Sequence, residues 1–368
     1  MIKKIKSFIK TIFAIVLILL FCIFGIIIYD EIAEDNTIED VNEFVSNITM
    51  SIGEISDKVE NSKVLDSSIE ETLQENNYIN EQTEKFFYNQ LDECSKIIYN
   101  AMETNKENMK TGNYEINLGT KFSELLSKDN GEELLGYYYQ SAIEAYIYDN
   151  PDVFYIEFSK LYLNIETTTK RNKETYRVFI NSGNELNYLT DDFSSKEIID
   201  SGLNEIEKIK DYIIENKKSD KYENIKFVHD YLVDNIVYEQ TISKANIYDI
   251  YGALIKRECV CEGYAKAFKY LMDSMNIPCI IISGEATNSD GNKENHAWNY
   301  VQINNLWYGI DCTWDDPIII GPGYLSDSSK YRYFLKGENS FNESRIPNGQ
   351  FTEGGKVFAF PSLSTSDY

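Results

Sequence analysis

Histidine is nearly missing from this chain: His229 and His296 are the two it has. Any role for an imidazole therefore falls on one of two positions. A zinc site drawn from Cys259, Cys261 and His296 would lack a fourth ligand and the usual two-residue gap between cysteines, so no metal is expected. Cysteine is scarce as well, at six residues, and Cys22 sits inside a long apolar run. The other five (Cys94, Cys259, Cys261, Cys279 and Cys312) make an odd number. Outside a reducing compartment an odd count leaves at least one thiol free or paired between molecules. Basic charge is the third deficit, with 35 Lys and Arg against 60 Asp and Glu. Such a surface repels phosphate backbones and anionic headgroups, which argues against a nucleic-acid partner.

What is present begins with Lys3, Lys4, Lys6 and Lys10, followed by 19 uncharged residues from Thr11 to Tyr29. At about 1.5 Å per residue, a helix of that length approaches the ~30 Å hydrocarbon core of a bilayer. The run ends Ile26-Ile27-Ile28-Tyr29-Asp30, without the small residues of a cleavage site, and Phe21 is too large to precede a lipoprotein cysteine. The expectation is an uncleaved single-pass anchor over 11–29. Its lysines keep residues 1–10 cytoplasmic and put the chain from about Asp30 outside the membrane.

Beyond the anchor, residues 30–82 are acidic, with Ile38, Val41, Phe44, Val45 and Ile48 at helical intervals, and read as a solvated helical stalk. Residues 83–195 read as a small α+β domain. Helices are expected around 83–104 and 134–148, the second stopped by Asp149-Asn150-Pro151, with strands over 160–167 and 174–181 and a turn at Asn181-Ser182-Gly183. Residues 196–368 form the third region. Helices are expected over 195–217 and 222–237, then one from Gly263 to Met275. That last helix carries Tyr264, Phe268, Leu271, Met272 and Met275 on one face, and Lys266, Lys269 and Asp273 pointing outward. Strands follow over 279–283, 296–303 and 306–314. The whole is an α+β fold in which a helix packs on an antiparallel sheet.

The last two strands carry chemistry. Only Asn304-Asn305 separates them, which suits a two-residue hairpin pairing 303 with 306, hence 298 with 311 and 296 with 313. His296, Trp298, Asp311 and Thr313 then share one face. Ala297, Val301, Ile303, Leu306, Tyr308, Ile310 and Cys312 form the core face. A carboxylate diagonal to His296 can fix its tautomer and stabilise the imidazolium. The matching nucleophile is Cys261. It lies where a helix opens, and free amide groups and the positive end of the helix dipole favour a thiolate and can hold an oxyanion. Cys259 lies two residues earlier and is read as a small buried residue, with a disulfide or a regulatory role as alternatives. Cys279 and Cys312 fall on core strands, as buried apolar residues or a disulfide. His229 falls near the apolar stripe of its helix and is read as structural.

Cys261-Glu-Gly-Tyr-Ala265, His296-Ala-Trp-Asn299 and Asp311-Cys-Thr-Trp-Asp-Asp-Pro317 resemble, in that order, the three signature blocks of the transglutaminase-like cysteine enzymes. Lys226–Val233 resembles the usual lead-in helix, and Tyr333-Phe-Leu-Lys336 with Phe360-Pro361 the closing segment; the likeness covers about 205–361. Asp149-Asn-Pro-Asp-Val-Phe-Tyr155 is similar to the domain that precedes it in bacterial members. The resemblance implies a papain-like α+β core and a catalytic triad of Cys261, His296 and Asp311 with no cofactor. It also implies a thioester formed with a glutamine carboxamide of a protein or peptide at the cell surface, resolved by a lysine amine. If water resolves it, the outcome is deamidation or, on a main-chain bond, proteolysis. A catalytically dead binding module is the reading from another class.

Overall fold

The computed structural model describes residues 85–288, 290–316, 326–348 and 354–368. The expected anchor at 11–29 and stalk at 30–82 lie outside the described residues. Among those residues, no helix is long and apolar enough to cross a membrane.

The first half is built on α1 (Glu93–Thr104) and α2 (Gly131–Asp149) packed over a three-stranded antiparallel sheet of β1 (Ile116–Gly119), β2 (Tyr162–Lys170) and β3 (Lys173–Asn181), ordered β1-β3-β2. The expected helix at 83–104 is shorter, because a short 3-10 turn over Tyr88–Gln90 precedes α1. The β2–β3 hairpin turns on Arg171 and Asn172, both at positive φ (52° and 60°), the backbone of a tight primed turn. Asn181-Ser182-Gly183 instead bends the chain away after β3, with Gly183 at φ 57°.

The second half opens with α3 (Lys196–Glu215) and α4 (Lys221–Asn235). The Ser195 side chain caps the first by accepting from Ile198 N, and the Asp220 side chain caps the second by accepting from Glu223 N at 3.1 Å. A two-residue parallel pair, β4 (Val237–Tyr238) with β5 (Glu258–Cys259), leads straight into α5 (Cys261–Ser274). Asn276 at φ 58° and Pro278 end α5. A four-stranded antiparallel sheet follows, ordered β8-β7-β6-β9 from β6 (Cys279–Thr287), β7 (Lys293–Ile303), β8 (Leu306–Ile310) and β9 (Arg345–Pro347). Ile98, Tyr146, Phe154, Phe268 and Val301 belong to one apolar core, so it runs from the first half into the second.

Three expectations about α5 and the hairpin change. Lys266 and Lys269 do not point outward: Lys269 is fully buried, with its ammonium 2.7 Å from Asp273 and 3.4 Å from the Cys279 carbonyl. Its aliphatic stem packs in the core while the paired carboxylate satisfies its charge. The β7–β8 register is the expected one, Ile303 opposite Leu306 through Asn299 opposite Ile310, around Asn304 and Asn305 at φ 51° and 62°. But β8 stops at Ile310. The Asp311 side chain accepts from Trp314 N at 3.1 Å and Asp315 N bonds back to Asp311 O, so the chain turns and the pairs 298–311 and 296–313 are not made. Leu306, expected in the core, is half exposed at the hairpin tip.

Candidate active site

Cys261 is the first residue of α5, so its amide and that of Glu262 belong to the helical turn without intrahelical acceptors. Val260 N bonds to Ile247 O at 2.9 Å, which ties the approach to the helix to a neighbouring loop. Gly263 is required here. A Cβ at this position would lie 2.6 Å from Cys259 Cβ and 2.9 Å from Ile247 O, so glycine lets the first turn lie against the strand before it.

His296 lies on β7 with its ring buried between Trp314, at 5.0 Å, and Trp298, at 6.0 Å. Its Nε2 is 2.8 Å from Asp311 Oδ2. Cys261 lies close enough to the imidazole to act on it as well, and after Asp311 it is the next group that favours the protonated ring. The structure thus brings Cys261, His296 and Asp311 into one chain of contacts. Burial by itself would lower the imidazole pKa; the Asp311 charge and hydrogen bond, and then Cys261, overcome this and raise it to about 9. Burial would raise the Asp311 carboxyl, yet His296 and Arg345 hold it well below the usual carboxylate range.

Arg345 is a residue that local sequence patterns do not single out. It is almost fully buried on β9, donates from Nε to Asp311 Oδ2 at 3.0 Å and reaches the same oxygen through Nη2. Its guanidinium stacks 3.8 Å from the Tyr333 ring centre, 4.3 Å from Trp314 and 4.8 Å from Phe341. One carboxylate oxygen therefore serves both the imidazole and the guanidinium, while the other fixes the turn. The sequence signal was a lone arginine in Glu343-Ser-Arg345-Ile-Pro347, with nothing local to connect it to Asp311.

The remaining expected residues fall around this centre. Trp298 is buried and packs with Ile280, Ile282, Tyr300 and Phe341. Thr313, freed from the hairpin, is buried in the turn. His229 is fully buried and held at 3.1 Å by both Asp230 and Asp315, a clamp between α4 and the turn after β8. Cys94, Cys259, Cys261, Cys279 and Cys312 are free thiols, with Cys259, Cys279 and Cys312 buried; burial pushes those three thiols well up, away from the reactive thiolate. Among the described residues, no group of acidic, cysteine and histidine side chains could hold a metal ion.

Residues 207–312 match the family model described as the transglutaminase-like superfamily. No curated protein matches the chain. Among solved structures, the chain is similar to a TGase at 16% identity and TM-score 0.29, over 48% of this chain and 50% of that one. It is similar to a candidate cysteine protease from Cytophaga hutchinsonii at 14% identity and TM-score 0.26, over 42% and 64%. The periplasmic domain of TgpA from Pseudomonas aeruginosa, bound to ethylmercury, gives 14% identity and TM-score 0.24, over 42% and 65%. This chain thus spans half to two thirds of the length of each.

Replacing Arg345 with Met leaves the Asp311 charge buried with one partner fewer, so a loss of about 3–5 kcal/mol is expected. Lysine cannot both bridge and stack, so Arg345→Lys restores only part of it. Urea denaturation of the two variants checks this; an Arg345→Met protein as stable as wild type contradicts the role.

Proposed function

We propose that residues 207–312, which form a transglutaminase-like domain, make this chain a cysteine acyltransferase whose nucleophile is Cys261. The observation that carries the reading is the contact chain from Cys261 through the His296 ring to Asp311. In the proposed cycle the Cys261 sulfur, as thiolate, attacks a glutamine carboxamide carbon and a C–S bond forms. The oxyanion is met by amides of the first turn of α5. His296, as imidazolium, gives its Nδ1 proton to the departing nitrogen, the C–N bond breaks and ammonia leaves. A lysine amine then attacks the thioester, His296 takes its proton, and Cys261 leaves as thiolate, giving an isopeptide bond. Water in place of the amine gives deamidation, and attack on a main-chain amide gives peptide cleavage by the same groups.

The uncharged run 11–29 behind four lysines supports placing this domain at the outer membrane–water boundary of a single-pass anchor. The acidic excess favours basic protein partners there. Alkaline carbonate extraction checks the anchor: the full chain stays with the membranes, and a variant lacking residues 1–30 goes to the soluble fraction. A full chain that is extracted like the truncated one contradicts it.

A labelled amine donor is expected to enter a glutamine-containing peptide with the wild-type chain and not with Cys261→Ala. Peptide hydrolysis without incorporation would assign the domain to the peptidases, and neither activity would leave a binding module. The imidazolium is the proton donor, so on the alkaline side kcat/KM for acylation is expected to fall as pH rises through about 9. Asp311→Asn removes the leading cause of the upward shift, so this alkaline limb moves toward the ~6.5 of an unperturbed imidazole and the rate drops by about 10²–10⁴-fold. A limb that stays in place contradicts the role of Asp311.

A further inference from the structure

A cavity of about 240 Å³ opens beside the first turn of α5, and its walls do not include Cys261, His296 or Asp311. One side is apolar and comes from the end of α2 and the segment after it, with Ile147, Pro151, Val153 and Phe154. This is the Asp149–Tyr155 stretch, which the triad does not use. Polar lining comes from Asn246, Asp249, Glu262, Lys266 and Glu157.

Three features of the cavity point to a cationic occupant. First, Asn246 is 7% exposed, and its Oδ1 has no hydrogen-bond partner among the described residues. Its Nδ2 already donates to Asp249 Oδ2 at 2.6 Å, so the open valence is an acceptor and calls for an N–H or O–H donor. Second, the charges do not cancel. Lys266 is taken by Glu262 at 2.7 Å, whereas Asp249, 8% exposed, is held only by neutral donors: Asn246 Nδ2, Tyr251 N at 2.9 Å and Gly252 N at 3.1 Å. Burial pushes the Asp249 carboxyl up to about 7 against the pull of the Lys266 charge, which Glu262 already engages, so a second positive group stabilises its ionised form. Third, the apolar wall suits a long aliphatic stem ending in a charge, as in lysine.

The cavity is also coupled to Cys261. Glu262 is the next residue, about 3.8 Å away along the backbone. The loop carrying Asn246 and Asp249 is bonded directly to the residue before Cys261 through Val260 N and Ile247 O at 2.9 Å. Asn246 itself holds a left-handed backbone, φ 64°, and asparagine is the non-glycine residue that tolerates this best.

We propose that this cavity is a specificity subsite that takes the side chain of a lysine in the acyl-donor polypeptide, within about three residues of the attacked carbonyl at ~3.3 Å per extended residue. The proposal rests on the acyltransferase reading for the meaning of "donor". The ammonium donates to Asn246 Oδ1 and neutralises Asp249, and the methylenes lie along Pro151, Val153 and Phe154. The subsite is separate from whatever amine later attacks the thioester.

Binding is read on the full chain carrying Cys261→Ala, so that no reaction is needed. Two probes are titrated by calorimetry: Nα-acetyl-lysine N-methylamide and its norleucine counterpart, which keeps the stem and drops the charge. The lysine probe is expected to bind at least tenfold more tightly, and the preference is expected to fall to within twofold in Asp249→Asn. Glu262→Gln frees Lys266 to answer Asp249, so it should weaken the lysine probe as well, and it carries the test if Asp249→Asn fails to fold. Equal binding of the two probes, or a preference unchanged in whichever variants fold, overturns the subsite. The amine-incorporation assay on the wild type is scored separately: a chain that prefers the lysine probe yet transfers no acyl group keeps the cation site and refutes the reaction.

Discussion

The arrangement depends on one buried carboxylate. Asp311 Oδ2 accepts from His296 and from Arg345, and Oδ1 accepts from Trp314 N. Burying that charge would be prohibitive alone; two cationic or cation-forming partners and a backbone amide make it tolerable. In return the carboxylate fixes three things together: the orientation of the imidazole, the turn that ends β8, and the position of the β9 edge through Arg345. The bonds from Arg345 and Trp314 N do not depend on the imidazole proton, so they hold the carboxylate whichever charge the ring carries.

The surroundings reinforce this centre. His229, between Asp230 and Asp315, pins α4 to the turn that begins at Asp311, and Asp315 Oδ1 also accepts from Tyr333 N at 2.8 Å. Tyr333 in turn stacks on Arg345. The chain's two histidines therefore both bond to acids of one turn, His296 to Asp311 and His229 to Asp315. Asn299 Nδ2 donates to Ala265 O at 2.9 Å and to Ile280 O at 3.3 Å, which fixes α5 against β7 and β6. Cys261 and His296 are thus carried by two elements with a direct polar tie.

Much of this was legible because it is local. The hairpin register follows from two asparagines and an alternation of residues, and the helix start follows from Gly263 and the pattern behind it. These place His296 on its strand and Cys261 at its helix start without reference to distant parts of the chain. The strand reading failed at Asp311 because an aspartate side chain can capture a nearby amide and end pairing, a competition invisible to alternation alone. Lys269 was misplaced because a helical-face argument assigns lysine to solvent. A partner one turn on at Asp273 and a carbonyl at Cys279 allow it inside. Arg345 was missed for a different reason: its partner is 34 residues away, and only the fold of the sheet brings β9 beside β6. The subsite cavity is similarly non-local, since its walls come from the ends of α2 and α5 and the loop at 246–249.

The central claim is that the Cys261 sulfur carries the acyl group between donor and acceptor. Rapid acid quench of the wild-type chain during turnover of a glutamine-containing peptide, followed by proteolytic mapping by mass spectrometry, tests it directly. The account predicts a peptide adduct short of one ammonia on the fragment containing Cys261, localised to that sulfur by fragmentation and abolished in His296→Ala. Turnover with Cys261 unmodified, or an adduct on Cys94 or Cys259 instead, would contradict it.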